Sequence, residues 1–332
     1  MLENAADRWE VAPGATRHTP PAIFLPDQID RIADTEFSPP AEVIRAFEGG
    51  YDTTEAPTVG YRLRHVDLAD GVLYAKGRER HLRARSSRSL SYRKPTAAMN
   101  AVMYESWIGN RWFGTWLRQD CLTHFLTEGL GTVVTTSPTP SGHVPRYEEL
   151  LGMAPQRVQS MHFDELILFE DLPNNSAKAD RARQLRARLL DGRDVKPLPG
   201  VFIVRGRSGD ARVLENELEI AQQLADTYGF HILDPAKATV DEIAETCGEA
   251  AIIAGIEGSH LAHGLATMPG HATLLVIQPP DRVVATLKMV TDRQDQRYAF
   301  VVGQGTQDGF QVNWDDLQRT IDLLDKSAKR PT

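Results

Sequence analysis

Cysteine is nearly absent: Cys121 and Cys247 are the only two in 332 residues. Their distance apart excludes a disulfide-stapled scaffold. They fit a reducing, cytoplasmic compartment in which both thiols are inert core groups. Long apolar runs are missing too, and none approaches the roughly 20 residues a membrane-crossing helix needs. The opening MLENAADRWEVAPG has neither the basic start nor the apolar centre of a signal peptide. Basic excess is also lacking, since 37 Lys and Arg face 45 Asp and Glu, a net charge of -8, which argues against a nucleic-acid partner. Neither a Walker loop nor a G-x-G-x-x-G fingerprint occurs, which excludes the usual triphosphate and dinucleotide cradles. What is present is an ordinary globular composition, 41% hydrophobic and 25% charged, in a chain longer than one core usually serves.

Four segments follow from the patterning. Residues 1–58, rich in Pro, Glu and Asp, are expected as a mostly irregular arm with one short helix near Pro40–Phe47. Residues 59–194 form an N-terminal domain. In it YRLRHVDLADGVLYAKG reads as a hairpin, because alternating apolar residues flank an Asp70-Gly71 turn. The run Lys76–Lys94 follows, with eight Lys or Arg against one Glu. A strand at AVMYESW then leads into one predicted helix over NRWFGTWLRQDCLTHFLTEGLG, where Trp112, Trp116, Leu117 and Cys121 recur at helical spacing. Residues 195–312 are a C-terminal domain in which apolar strands (VFIVR, FHIL, AAIIAGI, ATLLVIQ) alternate with amphipathic helices. That alternation is the signature of a parallel sheet covered on both faces. Residues 313–332 are a helix capped by Asn313, with a tail.

The chemistry concentrates at GIEGSHLAHGLATMPGHATLLVIQPP, residues 255–280. In an open α/β sheet, ligands collect beyond the carboxyl ends of the strands, so the residues after Gly255 are expected to line that crevice. A helix starting near Gly258–Ser259 would offer free amides and a positive dipole end to a phosphate. Glu257, His260 and His263, three apart, would share one helix face. A metal is not expected there, because the second Glu-x-x-His of a di-iron site and the His spacing of a helical zinc site are both missing. Upstream, VRGRSGDARVLENELEI sets Arg205 at a strand end, Arg207 and Arg212 about a turn, and Glu215, Asn216 and Glu217 at a helix start. Such guanidinium groups suit a diphosphate through bidentate, charge-assisted bonds. They would equally serve as surface salt bridges to the adjacent acids.

Taken in order, Arg212-x-x-x-Asn216-Glu217, Gly229-Phe230, the strand end at Gly255, the loop Gly258-Ser259-His260-Leu261 and Pro269-Gly270 resemble the C-terminal half of glycosyltransferase family 61. WFGTWLRQDCLTHFLTEG and HVPRYEELLGM resemble its N-terminal helix and following loop, so the likeness covers roughly residues 100–310. The resemblance implies two Rossmann-like domains facing across a cleft, as in B-type transferases, each a parallel sheet with helices on both faces. It implies an inverting, metal-independent and cofactor-free transfer of a sugar from a nucleotide-sugar donor to a glycan or other hydroxyl, as in polysaccharide biosynthesis. Arg205, Arg212, Asn216, Gly258 and Ser259 would fall on the donor side, joined by His263, while Trp116 and Asp120 match the Trp and Asp of the N-terminal helix. The family's loop histidine, second glycine and frequent asparagine are here Glu257, His260 and His263.

Inversion needs a general base at the acceptor hydroxyl and charge stabilisation on the departing diphosphate. Asp120 is the expected base, with Glu257 and His260 as alternatives. Two further readings stay open: a sugar-nucleotide or glycan binder that has lost turnover, and a different phosphate-handling transferase on a similar sheet. The run Lys76–Lys94 is a candidate contact to an anionic acceptor or an inner membrane face, or to the acidic excess of a second copy in a homo-oligomer.

Overall fold

The structure, a computed structural model, describes residues 1–86, 92–206 and 209–328, with only the backbone described for 325–328. Arg207, part of the Lys76–Lys94 run and the last four residues of the tail therefore lie outside the described residues. The chain forms two compact units, Met1–Ala15 with Thr54–Leu189, and Thr16–Thr53 with Leu190–Thr332. Residues 1–58 are thus shared between the units rather than standing apart. They hold strands at Asp7–Ala12, Ala15–Thr19 and Tyr51–Glu55 as well as the helix Pro40–Glu48. Their order comes from distant partners: Trp9 pairs across from Gly60, and its ring occupies the space a Cβ at Gly60 would take.

The first unit is built on β1 (Asp7–Ala12), β2 (Thr58–Ala69), β3 (Val72–Ala75), β4 (Arg78–His81), β5 (Ala98–Met103), β6 (Val133–Thr135), β7 (Gln156–Arg157) and β8 (Ser160–Glu170). They run in the order β4-β3-β2-β8-β5-β6-β7, with β1 also on β2. This sheet is mixed, not parallel as expected. β2 runs antiparallel to β1, β3 and β8, while β8, β5, β6 and β7 are parallel neighbours. For the β2–β3 pair the reason is local. Asp70 (φ 49°) and Gly71 (φ 72°) both take the left-handed conformation of a two-residue turn, which returns the chain beside itself.

The predicted long helix is broken. Ser106 caps a first piece, Trp107–Arg111, by accepting from the Gly109 amide at 2.9 Å. Trp112 then turns extended (φ -128°, ψ 123°), and beyond Phe113–Thr115 the residues Trp116–Asp120 widen into a π-helical turn before Cys121–His124.

The second unit contains β9 (Val201–Ile203), β10 (His231–Leu233), β11 (Ile252–Ile256), β12 (Thr273–Gln278) and β13 (Arg297–Val302). They form a five-stranded sheet in the order β10-β9-β11-β12-β13, parallel at every pairing. Its two faces carry separate cores. On one, Ile203, Ile253, Leu274 and Phe300 meet helices Val240–Cys247, Leu261–Thr267 and Thr286–Arg293, together with Phe47 of Pro40–Glu48. On the other, Phe202, Ala254, Leu275 and Val301 meet helices Glu217–Tyr228 and Trp314–Ala328. The alternation of sheet residues between the cores follows from the two-residue period of a strand. Thr239 and Glu242 close a capping box at the start of Val240–Cys247, a device worth about 1 kcal/mol. Among the described residues, no helix is long and apolar enough to cross a membrane.

Candidate functional site: a cationic switch point in the second unit

The helix after β9 packs on one face of this sheet and the helix after β11 on the other, so the gap between β9 and β11 is the topological switch point. Chain leaving β9 delivers Arg205, and chain leaving β11 delivers Glu257 and Gly258. Glu217 holds the first exit in place, accepting from the Arg205 amide at 2.6 Å and the Gly206 amide at 2.9 Å. Its side chain is buried, and this pushes its pKa up in spite of those bonds.

Arg205, Arg212, Arg282 and Glu257 are all buried, at 6–8% exposure. Arg212 pairs with Glu257 through Nη1 and Oε2. Arg282 Nη1 lies 3.6 Å from the same oxygen and its Nε 3.8 Å from Glu36. Arg205 donates to the Asp210 carbonyl at 2.7 Å and sets Nη1 at 3.4 Å from His260 Nδ1. Its guanidinium fits only because residue 258 is glycine, since a Cβ there would overlap Nη1. Burial first, and then the Arg212 charge beside it, pull Arg205 down to about 10. Burial and the Arg205 charge hold His260 well below the usual imidazole range, so it is neutral at neutral pH. The Arg212 Nε is buried with no hydrogen-bond partner. Buried Arg205, Arg212 and Arg282 gather about buried Glu257, with buried Glu217 behind Arg205 and the more exposed Glu36 and Asp210 within 3.9 Å of Arg282. The buried guanidinium groups outnumber the buried carboxylates, and an anion is the natural complement.

Other expected residues fall differently. The helix predicted from Gly258–Ser259 starts at Leu261 and runs to Thr267. Glu257, His260 and His263 therefore do not share a helical face: Glu257 follows the strand, His260 precedes the helix, and His263 is buried within it. The amides of Leu261, Ala262 and His263 are spent on the carbonyls of Gly258, Ser259 and His260, so the arginines, not a helix tip, carry the positive charge. Asn216 turns away and holds Val312 at both backbone groups, donating to its carbonyl at 2.9 Å and accepting from its amide at 3.2 Å. Ser259 is half-buried in the turn. Arg282 was not foreseen; its signal was a lone arginine in QPPDR, just past the end of β12.

In the first unit, Asp120 ends the π-helical turn at 2% exposure. Its carboxylate accepts from the Ser106 amide at 3.0 Å and hydroxyl at 2.8 Å, and a Cβ at Gly109 would overlap it. Burial, the largest influence, pushes its pKa up to about 7. His124, one turn on, is pushed down to about 4 by burial and lies edge-on to Tyr104. Within the basic run, Arg83 donates to Asn110 at 2.6 Å, and Arg85 pairs with Glu79 and lies over Tyr74.

A doubly wound parallel sheet with a cationic switch point defines a class, the α/β proteins built to take an anionic ligand at the strand ends. The particular family comes from comparison. The family model described as Glycosyltransferase 61 matches residues 113–275, a span holding Asp120, Arg205, Arg212, Glu257, Gly258 and His260. Over that span, just under half of the chain, the sequence matches glycosyltransferase family 61, and this match supports a glycosyltransferase. A search of curated proteins returns no match.

Proposed function

We propose that the chain is an inverting, metal-independent glycosyltransferase of the B type, which takes a nucleotide sugar and glycosylates a hydroxyl of a glycan or related acceptor. The observation that carries this reading is the gathering of buried Arg205, Arg212 and Arg282 at the β9–β11 switch point, where Arg212 and Arg282 face Glu257. A diphosphate bound there neutralises the surplus. As the bond from the anomeric carbon to the diphosphate oxygen breaks, the guanidinium groups take up the charge that develops on the leaving group. The acceptor oxygen forms the new bond on the opposite face and gives up its proton.

Asp120 is the proposed proton acceptor. Its pKa near 7 lies where a general base works best at neutral pH, and the lone pairs not taken by Ser106 remain for the proton. Glu257 fits a base less well, because its carboxylate is committed to Arg212 and faces Arg282. It is better read as the residue that positions those two arginines. His260, uncharged, complements Arg205 and rises toward protonation once an anion binds.

The test is titration with nucleoside diphosphates and their sugars, followed by acceptor-dependent release of nucleotide. Binding that depends on Arg205 and Arg212, together with release only when an acceptor is present, is the expected result. Absence of nucleotide binding overturns the reading.

A further inference from the structure

The first unit holds a second polar constellation, independent of the transfer reading. Strands β2 and β8 both lose their alternation at the same place. On β2, buried Leu63 and Val66 are separated by exposed Arg64 and His65; on β8, buried Phe163 and Leu166 are separated by Asp164 and Glu165. The pairing continues on either side, Leu166 with Leu63 and Phe163 with Val66, so the slip is matched on the two strands. His65 sits at φ 54°, a left-handed conformation uncommon for a residue with a Cβ. Irregularities of this kind re-aim side chains, and here they bring His65, His162 and Asp164 together with one ligand atom of each within 4.8 Å of the others.

The shell behind this trio is built as well. His162 Nδ1–H donates to Asp67 Oδ1 at 2.6 Å, and Asp67 Oδ2 accepts from the Tyr92 hydroxyl at 2.8 Å. A neutral imidazole that donates through Nδ1 carries its lone pair on Nε2, the nitrogen turned toward Asp164. A carboxylate behind a histidine in this manner is the usual outer support of a metal-bound imidazole. The Nε2 to Asp164 Oδ1 separation is 3.6 Å, too long for a hydrogen bond. It is close to the roughly 3.4 Å edge spanned by two ligands about 2.1 Å from a tetrahedral ion. The His65 and His162 rings lie 5.9 Å apart between centroids, inclined by 24°.

We propose that His65, His162 and Asp164 bind a divalent transition cation of the zinc type, with Asp67 as the carboxylate that orients His162. Two imidazoles and a carboxylate suit Zn2+, and Co2+ takes the same donors. Three protein ligands leave a position open. His65 and Asp67 border a surface cavity of about 510 Å³ that also includes Tyr74, Lys76 and Tyr92. A water or an oxygen of a molecule in that cavity would complete the coordination.

Chelator-treated full-length protein should bind one Zn2+ per chain by calorimetry. Co2+ should produce the visible absorption of a low-coordinate nitrogen and oxygen site. His162→Gln and Asp164→Asn should each remove that ion and the Co2+ bands. His65→Asn, which keeps a residue tolerant of the left-handed backbone, should do the same without disturbing the fold as read by circular dichroism. Asp67→Asn should keep the site but weaken Zn2+ about 10–100-fold, the usual consequence of losing an outer carboxylate. The proposal is overturned if the wild type takes up no Zn2+ under these conditions. It is equally overturned if stoichiometry and Co2+ spectrum survive in the folded His65→Asn and Asp164→Asn variants.

Discussion

Asp120 and Glu257 are two buried carboxylates with opposite surroundings. Asp120 receives a hydroxyl and an amide from Ser106, and burial lifts it to about 7. Glu257 lies against the guanidinium groups of Arg212 and Arg282. The first carboxylate is poised to exchange a proton, and the second to hold cations in place. On the proposed reading the two acids therefore have different work, set by neighbours rather than by residue type. The same contrast separates the sheets. The mixed sheet of the first unit combines hairpins with the long-range pairing of β2 and β8, whereas the parallel sheet of the second brings the ends of β9 and β11 together by topology.

If that division of labour is right, Asp120→Asn should lower kcat about 10²–10⁴-fold, as removal of a general base commonly does, while nucleoside diphosphate affinity stays near wild type. Steady-state kinetics beside a binding titration would show it, and the wild-type rate should rise with pH through an apparent pKa near 7 that the variant lacks. Next in size, Arg205→Ala should weaken nucleoside diphosphate binding about 10–100-fold, the value of a charge-assisted bond of roughly 1.5–3 kcal/mol. Gly258→Ala sharpens this, because its Cβ would displace the Arg205 head while leaving the charge in the chain. A loss of affinity of about tenfold is expected there, together with a lowered melting temperature, because Gly258 lies at φ 155°, where a Cβ is strained.

Glu257→Gln should act more mildly on the same titration, through looser placement of Arg212 and Arg282, and should leave kcat far less affected than Asp120→Asn. A loss of kcat from Glu257→Gln matching that of Asp120→Asn would reverse the assignment of the two acids. The smallest effect is thermodynamic. Asp120 binds its proton more tightly folded than unfolded, so its contribution is fully present below about pH 4 and is lost as pH rises through 7. The melting temperature of the wild type minus that of Asp120→Asn should therefore fall between about pH 4.5 and 7.5, and a flat difference would mean that Asp120 is not perturbed.

Features governed by neighbours in the chain were legible beforehand. Asp70-Gly71 announces a hairpin because both positions need left-handed backbone, and the apolar strands from Val201 onward announce a parallel sheet because burial on two faces removes their alternation. The crevice after Gly255 followed from that sheet. Features governed by distant partners were not legible. Trp9 becomes strand only by lying across Gly60, and the break at Trp112 interrupts an otherwise helical pattern. The pairing of Arg212 with Glu257 and the arrival of Arg282 join residues 45 or more positions apart or on separate strand ends. The His65, His162 and Asp164 trio depends on a strand register that nothing local encodes.

The most direct test of the central claim is calorimetric titration of nucleoside diphosphate into wild type and into Arg212→Ala and Arg205→Ala, with Asp120→Asn as the control. Binding to wild type and Asp120→Asn alike, weakened at least tenfold in both arginine variants, is what the cationic switch point requires. Equal affinity in all four proteins would place the diphosphate elsewhere and contradict it.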